Sequence, residues 1–247
     1  MFAIEGQNGE IVVYSEGIKF DTRIREYPPL PRKRCPICHY PNGEEFCRYH
    51  KAFEFEGLPR NPNFLYIVGY YELDENGNPK NQLTVDIRKF KNLNLHQDSI
   101  NILSAAMLAR CLKNNVVLDQ ITYVPSHDKN FKNLFCASKI ISNGMKCTFL
   151  NPEKFLEIKY GYRTIKEFNR FEDRFNYVKE IFQRKCTDLD LDCQVVGILD
   201  DVMHTGCTLA HFSSILKSFG ARETVGLVFG RVLGRGNILP KNKFPIF

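Results

Sequence analysis

The chain has 247 residues, a formal net charge of +6 and a mean hydropathy of −0.30, and its length fits one α/β domain with a small appendage. No apolar run approaches the roughly 18 residues of a membrane-spanning helix, and the N-terminus MFAIEGQNGE lacks the basic start and apolar stretch of a signal peptide. We therefore expect no membrane segment, and the nine cysteines favour reduced thiols in the cytoplasm, some of them binding metal. The mildly basic charge suits an anionic ligand without indicating nucleic acid by itself.

The first 60 residues are predicted to form a separate N-terminal region. Residues 10–20 alternate between apolar and polar side chains and predict a hairpin. The proline-rich segment EYPPLPRK follows as a linker. The remaining residues, 61–247, carry the pattern of an α/β domain.

The segment CPICHYPNGEEFCRYH contains two close pairs of metal-ligand residues. Cys35 and Cys38 have CxxC spacing, and Cys47 and His50 have CxxH spacing. Two such turns can close a tetrahedral Zn²⁺ site, with His39 as an alternative fourth ligand. The same side chains can also be reduced thiols in a surface loop, or form a labile disulfide. We expect a structural zinc that contributes directly to the folding of this small region.

Basic residues surround these two pairs. They are Arg32, Lys33, Arg34, Arg48 and Lys51. Such a cluster can bind a phosphate backbone, which makes nucleic acid a candidate partner. It can equally be the solvated rim of the small region, and this second interpretation is slightly favoured.

The α/β pattern begins with FLYIVGYYEL and QLTVDIRKF. These β-rich runs are joined by the Asn-Gly turn of DENGNPKN, and we predict a hairpin. Asp98 or Ser99 then caps a helix through SINILSAAMLARCLKNN. The run VVLDQITYVP predicts a strand, NLFCASKIIS a short helix, and residues 147–150 another strand.

An aromatic stripe predicts a long helix over about 164–184. Its members recur at helical spacing: Phe168, Phe171, Phe175, Val178 and Phe182. We expect this stripe to pack into the core rather than to stack on a ligand.

Strands and helices alternate along the rest of the chain, ending with the strand ETVGLVFGRV. Such alternation predicts a mainly parallel sheet flanked by helices, with right-handed crossovers. Ligands of these sheets bind at the carboxyl ends of the strands. The strands that end at Val124 and at Leu199 are expected to deliver their loops to that edge.

The run VVGILDDVMHTGCTL carries the strongest functional pattern. An apolar strand ends at Asp200 and Asp201, and a loop with Thr205, Gly206 and Thr208 leads into a helix over 209–219. The helix N-terminus and the glycine allow backbone N–H groups to approach an anion. The two carboxylates can accept hydrogen bonds from a vicinal diol or help to hold a hydrated Mg²⁺. The plainer interpretation is a buried strand that ends in a solvated Asp-Asp turn.

This run resembles the PRPP-binding motif of type I phosphoribosyltransferases, where PRPP is phosphoribosyl diphosphate. The resemblance implies the fold of that family, Mg²⁺ as cofactor, and PRPP or a nucleoside monophosphate as ligand. It implies that Asp200 and Asp201 contact the ribose hydroxyls as catalytic residues. It also implies that the following loop wraps the 5-phosphate, with the residues Val202, Met203, His204, Thr205, Gly206, Cys207 and Thr208.

Two further segments are assigned by the same resemblance. The loop after Val124 corresponds to the pyrophosphate loop, with Pro125, Ser126, His127 and Lys129. The segment 154–174 corresponds to a flap that closes over the site and supplies positive charge. Its basic residues are Lys154, Lys159, Arg163, Lys166, Arg170 and Arg174, with Arg163 assigned as the catalytic cation. Taken singly, most of these basic residues are also explained by a solvated helix face.

The order of parts over about 35–232 is similar to the ComF-like branch of the family, named for a competence protein involved in DNA uptake. That branch places a zinc ribbon ahead of the transferase domain. The shared segments are CPIC…CRYH, IRKFK ahead of the first helix, VPSH, RFEDRFN and the PRPP loop. Cys136 and Ala137 stand where amide side chains are usual in the family.

The resemblance implies transfer of a phosphoribosyl group to or from a nitrogenous acceptor. Two alternatives stay open: a PRPP- or nucleotide-sensing module without turnover, and a DNA-uptake or DNA-processing accessory. The tail LGRGNILPKNKFPIF has apolar character and can dock on its own domain or on a partner, so a homo-oligomer is a further alternative.

Overall fold

The structure of the protein is a computed structural model that describes residues 4–7, 10–15, 18–20, 64–92, 96–126, 132–159, 171–185 and 187–232. In the N-terminal part, β1 (Ile4–Gln7), β2 (Glu10–Ser15) and β3 (Ile18–Phe20) form an antiparallel sheet in the order β1-β2-β3. The hairpin predicted over 10–20 is present as β2 and β3, which pair from Val13–Phe20 to Ser15–Ile18. The predicted boundary at residue 60 lies outside the described residues and stays a prediction.

The second part alternates strands and helices. Its elements are β4 (Phe64–Tyr71), α1 (Gln82–Phe90), α2 (Gln97–Lys113), β5 (Gln120–Tyr123), α3 (Asn133–Met145), β6 (Thr148–Phe149), β7 (Leu156–Ile158), α4 (Phe171–Ile181), β8 (Phe182–Arg184), β9 (Val195–Met203), α5 (Cys207–Lys217) and β10 (Glu223–Val232). A 3₁₀ turn spans Pro152–Lys154. None of the helices in the described ranges is both long and apolar enough to cross a membrane.

Five strands form one sheet in the order β4-β10-β9-β5-β6, and every neighbouring pair is parallel. The predicted mainly parallel sheet flanked by helices is confirmed. Strands β7 and β8 form a separate antiparallel pair.

The sheet is covered on both faces by apolar side chains. On one face, Leu83 and Ile87 of α1, Leu103 of α2 and Ile141 of α3 belong to one buried cluster. The other face packs against α4 and α5. Its cluster includes Phe175, Val178, Phe212 and Leu216. Both faces are therefore apolar, which explains why the central strands read as continuous hydrophobic runs.

The order in which the chain adds strands to the sheet reverses between β5 and β9. These neighbouring strands are followed by α3 and α5, which pack on opposite faces. The two connections consequently diverge and leave a crevice outside the carboxyl ends of the two strands. Ligands of open α/β sheets bind in such a crevice.

The segment QLTVDIRKF was predicted as a strand, and this prediction is wrong because it forms α1. The Asn81 side chain caps the helix by accepting the backbone N–H of Thr84 at 2.8 Å. Leu83, Ile87 and Phe90 form a helical stripe that is fully buried. The Asn-Gly turn before it does reverse the chain, with an antiparallel bridge from Leu73 to Pro79. Tertiary packing of the stripe outweighs the β propensity of the segment.

The long helix predicted over 164–184 is shorter than expected at its C-terminal end. Helix α4 ends at Ile181, and Phe182 begins β8. Residues 160–170 lie outside the described part of the chain. Phe175, Val178 and Phe182 are nevertheless buried together in one core cluster, as expected for a packing stripe. Helix α2 begins at Gln97 after His96, so neither Asp98 nor Ser99 is its cap.

Gly230 allows α1 to lie directly on β10. A Cβ atom at this position would lie 2.6 Å from Cδ1 of Ile87 and 3.1 Å from Cβ of Tyr71. Both distances are shorter than ordinary contacts, and Ile87 is fully buried. A larger residue at position 230 would therefore require the Ile87 side chain or Tyr71 to shift.

We predict that Gly230→Ala lowers the free energy of unfolding by about 1–3 kcal/mol, because the added methyl overpacks the contact between α1 and β10. Urea denaturation of the purified variant measures this change. The Ile87→Val substitution removes the clashing Cδ1 atom, so the double variant should be less destabilised than the sum of the two single variants. Additive single effects would contradict the contact.

Candidate functional site

The carboxyl ends of β9 and β5 lie side by side. Tyr123 pairs with Leu199, and the backbone N–H of Val124 donates to the carbonyl of Leu199 at 2.9 Å. On β5 the residue after Tyr123 is Val124, which Pro125 and Ser126 follow, and on β9 the residue after Leu199 is Asp200. The structure therefore places Asp200 beside the point where the loop after β5 begins.

The two carboxylates belong to the strand itself. The sequence predicted that the strand ends before Asp200, but β9 continues to Met203. Successive strand residues usually point to opposite faces, but Leu199 and Val202 both pack on the face covered by α1–α3, whereas Met203 packs beside α4 and α5. The alternation is therefore interrupted at Asp200 and Asp201, between Leu199 and Val202. The backbone N–H of Asp201 donates to Oδ1 of Asp200 at 2.8 Å.

Asp200 is a strongly perturbed acid. Burial, followed by the neighbouring charge of Asp201, raises the pKa of Asp200 to about 7, while Lys91 and the hydrogen bond from Asp201 act in the opposite direction. Near neutral pH this carboxyl therefore exchanges between its neutral and charged forms. A change in nearby charge, such as a bound cation, would shift that balance.

Lys91 contacts the acidic pair directly. Its Nζ lies 2.9 Å from Oδ2 of Asp201, and the Asp201 side chain is only 15% exposed. Burial by itself lowers the pKa of Lys91, but the charge and hydrogen bond of Asp201, with smaller effects of Asp200 and Tyr71, raise the pKa overall. Sequence reasoning missed this residue, because it placed QLTVDIRKF in a strand and IRKFK ahead of the first helix.

The loop between β9 and α5 presents the N-terminus of a helix. Gly206 precedes α5 with φ +85°, a left-handed conformation that favours glycine. No side chain among the described residues caps this end, so the first N–H groups of α5 remain available to an anion. The helix begins at Cys207 and not at residue 209, so the predicted loop is shorter and Cys207 and Thr208 lie in the first turn.

The members of this loop have different environments. Met203 is buried in the core beside α4 and α5, and His204 is exposed. Thr205 and Thr208 are half-buried, and the Thr205 hydroxyl contacts the Cys207 sulfur at 2.9 Å. The side chains of His204, Thr205 and Thr208 are thus at least partly accessible to a ligand, whereas that of Met203 is not.

The Cys207 thiol is not a nucleophile in this setting. Burial raises its pKa to about 12, while the hydrogen bond with Thr205 and the charge of Arg174 act in the opposite direction. At neutral pH the thiol stays protonated. The effect of Arg174 places this cation of the predicted flap near the start of α5.

Arg231 is a second residue that sequence reasoning missed. It lies in β10, is 3% exposed, and its Nη1 donates to the carbonyl of Met203 at 3.0 Å and to that of Val232 at 2.8 Å. The contact holds the point where β9 passes into the loop. A lone arginine in the apolar run GLVFGRV was the sequence signal for it.

Several predicted site residues lie outside the described part of the chain. They are His127 and Lys129 of the pyrophosphate loop, Arg163 of the flap, and the zinc ligands Cys35, Cys38, Cys47 and His50. Their assignments stay predictions.

Asp200 and Asp201 provide too few oxygen ligands to hold a magnesium ion unless water and a bound ligand provide the rest. Carboxylate oxygens are the donors that Mg²⁺ prefers. However, within the described ranges no three His, Cys, Asp or Glu side chains are grouped to hold a metal ion, and Lys91 already contacts Asp201. The donor set suits a hydrated ion that is also bound by phosphate oxygens of a ligand.

Comparison with known proteins gives structural similarities alone, since no family model and no curated protein matches the chain. The chain is similar to a purine phosphoribosyltransferase from Pyrococcus horikoshii Ot3 at 16% identity and a TM-score of 0.35, covering 60% of this chain and 92% of that one. It is also similar to the UMP synthase of Leishmania donovani at 17% identity and a TM-score of 0.32, covering 58% of this chain and 24% of that one.

We predict that Asp200→Asn stabilises the protein at high pH more than at low pH. Below the ordinary aspartate pKa of 3.8 the carboxyl is protonated in both folded and unfolded states. As the pH rises toward about 7, the unfolded chain loses this proton while the folded protein keeps it, so stability falls. Asparagine carries no such penalty and still provides Oδ1 to the N–H of Asp201.

Thermal unfolding at about pH 5 and about pH 8 measures this effect. The melting temperature of Asp200→Asn should exceed that of the wild type by at least about 2–4 °C at the higher pH, which corresponds to about 1 kcal/mol. The difference should be smaller at the lower pH. An equal difference at both pH values would show that the pKa of Asp200 is not raised in the folded protein.

Proposed function

We propose that this protein binds a 5-phosphoribosyl group at the carboxyl edge of the sheet and acts as a phosphoribosyltransferase. Its ligand is PRPP or a nucleoside monophosphate, and the reaction transfers the phosphoribosyl group to or from a nitrogenous acceptor. One observation carries the proposal: the acidic pair lies near the carboxyl end of β9, and a short loop joins it to a helix N-terminus without a side-chain cap. A diol site and an anion site are thus joined in one short segment.

The two parts of this segment suit the two parts of the ligand. The N–H groups at the start of α5, with the Thr205 and Thr208 hydroxyls, would donate to the 5-phosphate. The oxygens of Asp200 and Asp201 would accept the ribose hydroxyls. Arg231 would keep the loop in place by holding the carbonyl of Met203.

The proposed reaction is a displacement at C1 of the ribose. A bond forms between the acceptor nitrogen and C1, and the C1–O bond breaks, with its electron pair leaving on diphosphate. The proton lost by the nitrogen passes to solvent. Positive charge develops at C1 and negative charge on the leaving group, so fixed charges at these two places lower the barrier.

The residues expected around the leaving group come from two segments. Pro125 and Ser126 begin the loop beside Asp200, and His127 and Lys129 continue it. Arg163 in the segment 154–174 would add positive charge. Mg²⁺, held through water by Asp200 and Asp201 and by the diphosphate oxygens, would neutralise the leaving group when bound.

A second function, binding without turnover, is supported by α3. Near its N-terminus, Ala137 is fully buried and Cys136 is half-buried. These residues occupy positions where the family usually has amides, and neither can provide one. A PRPP- or nucleotide-sensing role, including that of an accessory in DNA uptake or DNA processing, therefore stands as the alternative.

The N-terminal zinc ribbon is part of the proposal as well, with nucleic acid as a candidate partner. Their support is the spacing of Cys35, Cys38, Cys47 and His50 and the basic residues around them. A ribbon on the same chain would couple the phosphoribosyl site to nucleic acid.

The transferase proposal predicts release of pyrophosphate from PRPP and Mg²⁺ with one member of a panel of nitrogenous bases. The double variant Asp200→Asn with Asp201→Asn should lose at least about 100-fold in rate, because both diol acceptors are altered. The matched control is Asp188→Asn with Asp192→Asn, an exposed pair ahead of β9 with the same change in charge.

The outcomes of this assay separate the two functions. Tight PRPP binding in calorimetry without pyrophosphate release with any acceptor would overturn transfer and favour sensing. Absence of PRPP binding would overturn both.

The zinc proposal predicts about one equivalent of zinc in protein purified without added metal. Metal analysis by mass spectrometry measures it, and Cys35→Ser with Cys38→Ser should reduce it strongly. Less than about half an equivalent in the wild type would count against the site. For the nucleic-acid partner, a binding constant that does not change with salt concentration would count against phosphate contacts.

A further inference from the structure

Lys91 is held in place by the structure around it. It follows α1 directly, and its backbone N–H donates to the carbonyl of Ile87 at 2.9 Å. The buried side chain of Asn133 donates to the carbonyl of Phe90 on one side of Lys91 and to that of Asn92 on the other, the second at 3.2 Å. An amide that is 1% exposed thus fixes both neighbours of the lysine.

Lys91 joins two elements near the site. Asn133, which holds the backbone on both sides of Lys91, is the first residue of α3. The Lys91 ammonium contacts Asp201 on β9. Lys91 is therefore held by the start of α3 and is paired with one of the acids proposed for the ribose diol.

The ion pair leaves part of the Lys91 side chain in solvent. The Lys91 side chain is 41% exposed, whereas that of Asp201 is 15% exposed. The ammonium thus contacts a mostly buried carboxylate while part of the lysine side chain stays accessible to a ligand. A lysine whose backbone is held by Asn133 and whose side chain is partly exposed suits exchange between two anionic partners.

The chemistry of the ligand gives the second partner. In PRPP the diphosphate is on C1, next to the C2 hydroxyl and on the same face of the ribose ring as both hydroxyls. A cation in contact with the carboxylate that accepts those hydroxyls thus lies beside the diphosphate. In a nucleoside monophosphate the base is on the opposite face, and ribose 5-phosphate has no anionic group at C1.

We propose that Lys91 is a specificity-determining residue, which pairs with Asp201 in the free protein and binds the diphosphate on C1 when the ribose diol occupies Asp201. This inference rests on the proposed function and deepens it. Lys91 selects PRPP over phosphoribosyl compounds without an anion on that face. Asn133 is the positioning residue that keeps Lys91 between its two partners.

The test compares the affinities of two ligands, PRPP and ribose 5-phosphate, in isothermal titration calorimetry of the full chain with Mg²⁺. Lys91→Met should weaken PRPP binding by about tenfold or more, because a charge-assisted hydrogen bond is lost. It should weaken ribose 5-phosphate binding by less than about threefold. Lys89→Met, an exposed lysine in the last turn of the same helix, is the control and should change neither. Lys91→Arg keeps the charge and should keep most of the preference for PRPP.

The outcomes distinguish this inference from the proposed function. Equal losses of the two ligands in Lys91→Met would show that Lys91 only balances the acidic pair, and would overturn the inference alone. An unchanged affinity for PRPP would do the same. If the wild type binds neither ligand, the proposed function and the inference fall together. Should Lys91→Met not fold, the same comparison with Lys91→Gln decides.

Discussion

Two carboxylates on consecutive residues of a buried strand repel each other and lose hydration, and nearby groups offset part of this unfavourable free energy. The raised pKa of Asp200 is the direct sign of it. Lys91 offsets part of the charge through Asp201. Apolar residues at these two positions would avoid this cost, since both faces of the sheet are apolar. The acidic pair, with Lys91 beside it, is therefore the feature on which the proposed binding site rests.

The topology explains why the partners of this pair come from distant parts of the chain. Because β5 and β9 are neighbours whose helices leave on opposite faces, their loops open a crevice at one edge. Helix α1 packs on β10 so closely that a Cβ atom at position 230 would contact Cδ1 of Ile87 at 2.6 Å. It thereby brings Lys91 to Asp201, and Asn133 of α3 holds the end of α1. The packing of α1 and α3 thus sets the position of Lys91 beside Asp201 at the carboxyl edge of the sheet.

The parts predicted well from the sequence were those whose signal is local. An apolar run, two acids, a glycine and hydroxyls predicted β9, its loop and α5 to within a few residues. The alternation of elements likewise predicted a parallel sheet. Helix α1 was predicted as a strand, because the β propensity of its residues is visible in sequence while the burial of Leu83 and Ile87 is not. The contacts of Lys91 and Arg231 join residues far apart in the chain, so no local sequence pattern predicts them.

The central claim is that the segment from β9 to α5 binds a phosphoribosyl group through its acids and its helix N-terminus together. A crystal structure with ribose 5-phosphate, a stable ligand that needs no turnover, tests this most directly. The account predicts the phosphate within hydrogen-bond distance of backbone N–H groups at 205–208, and the ribose hydroxyls on Asp200 and Asp201. A phosphate bound elsewhere, or a ribose whose hydroxyls face away from both acids, would contradict it.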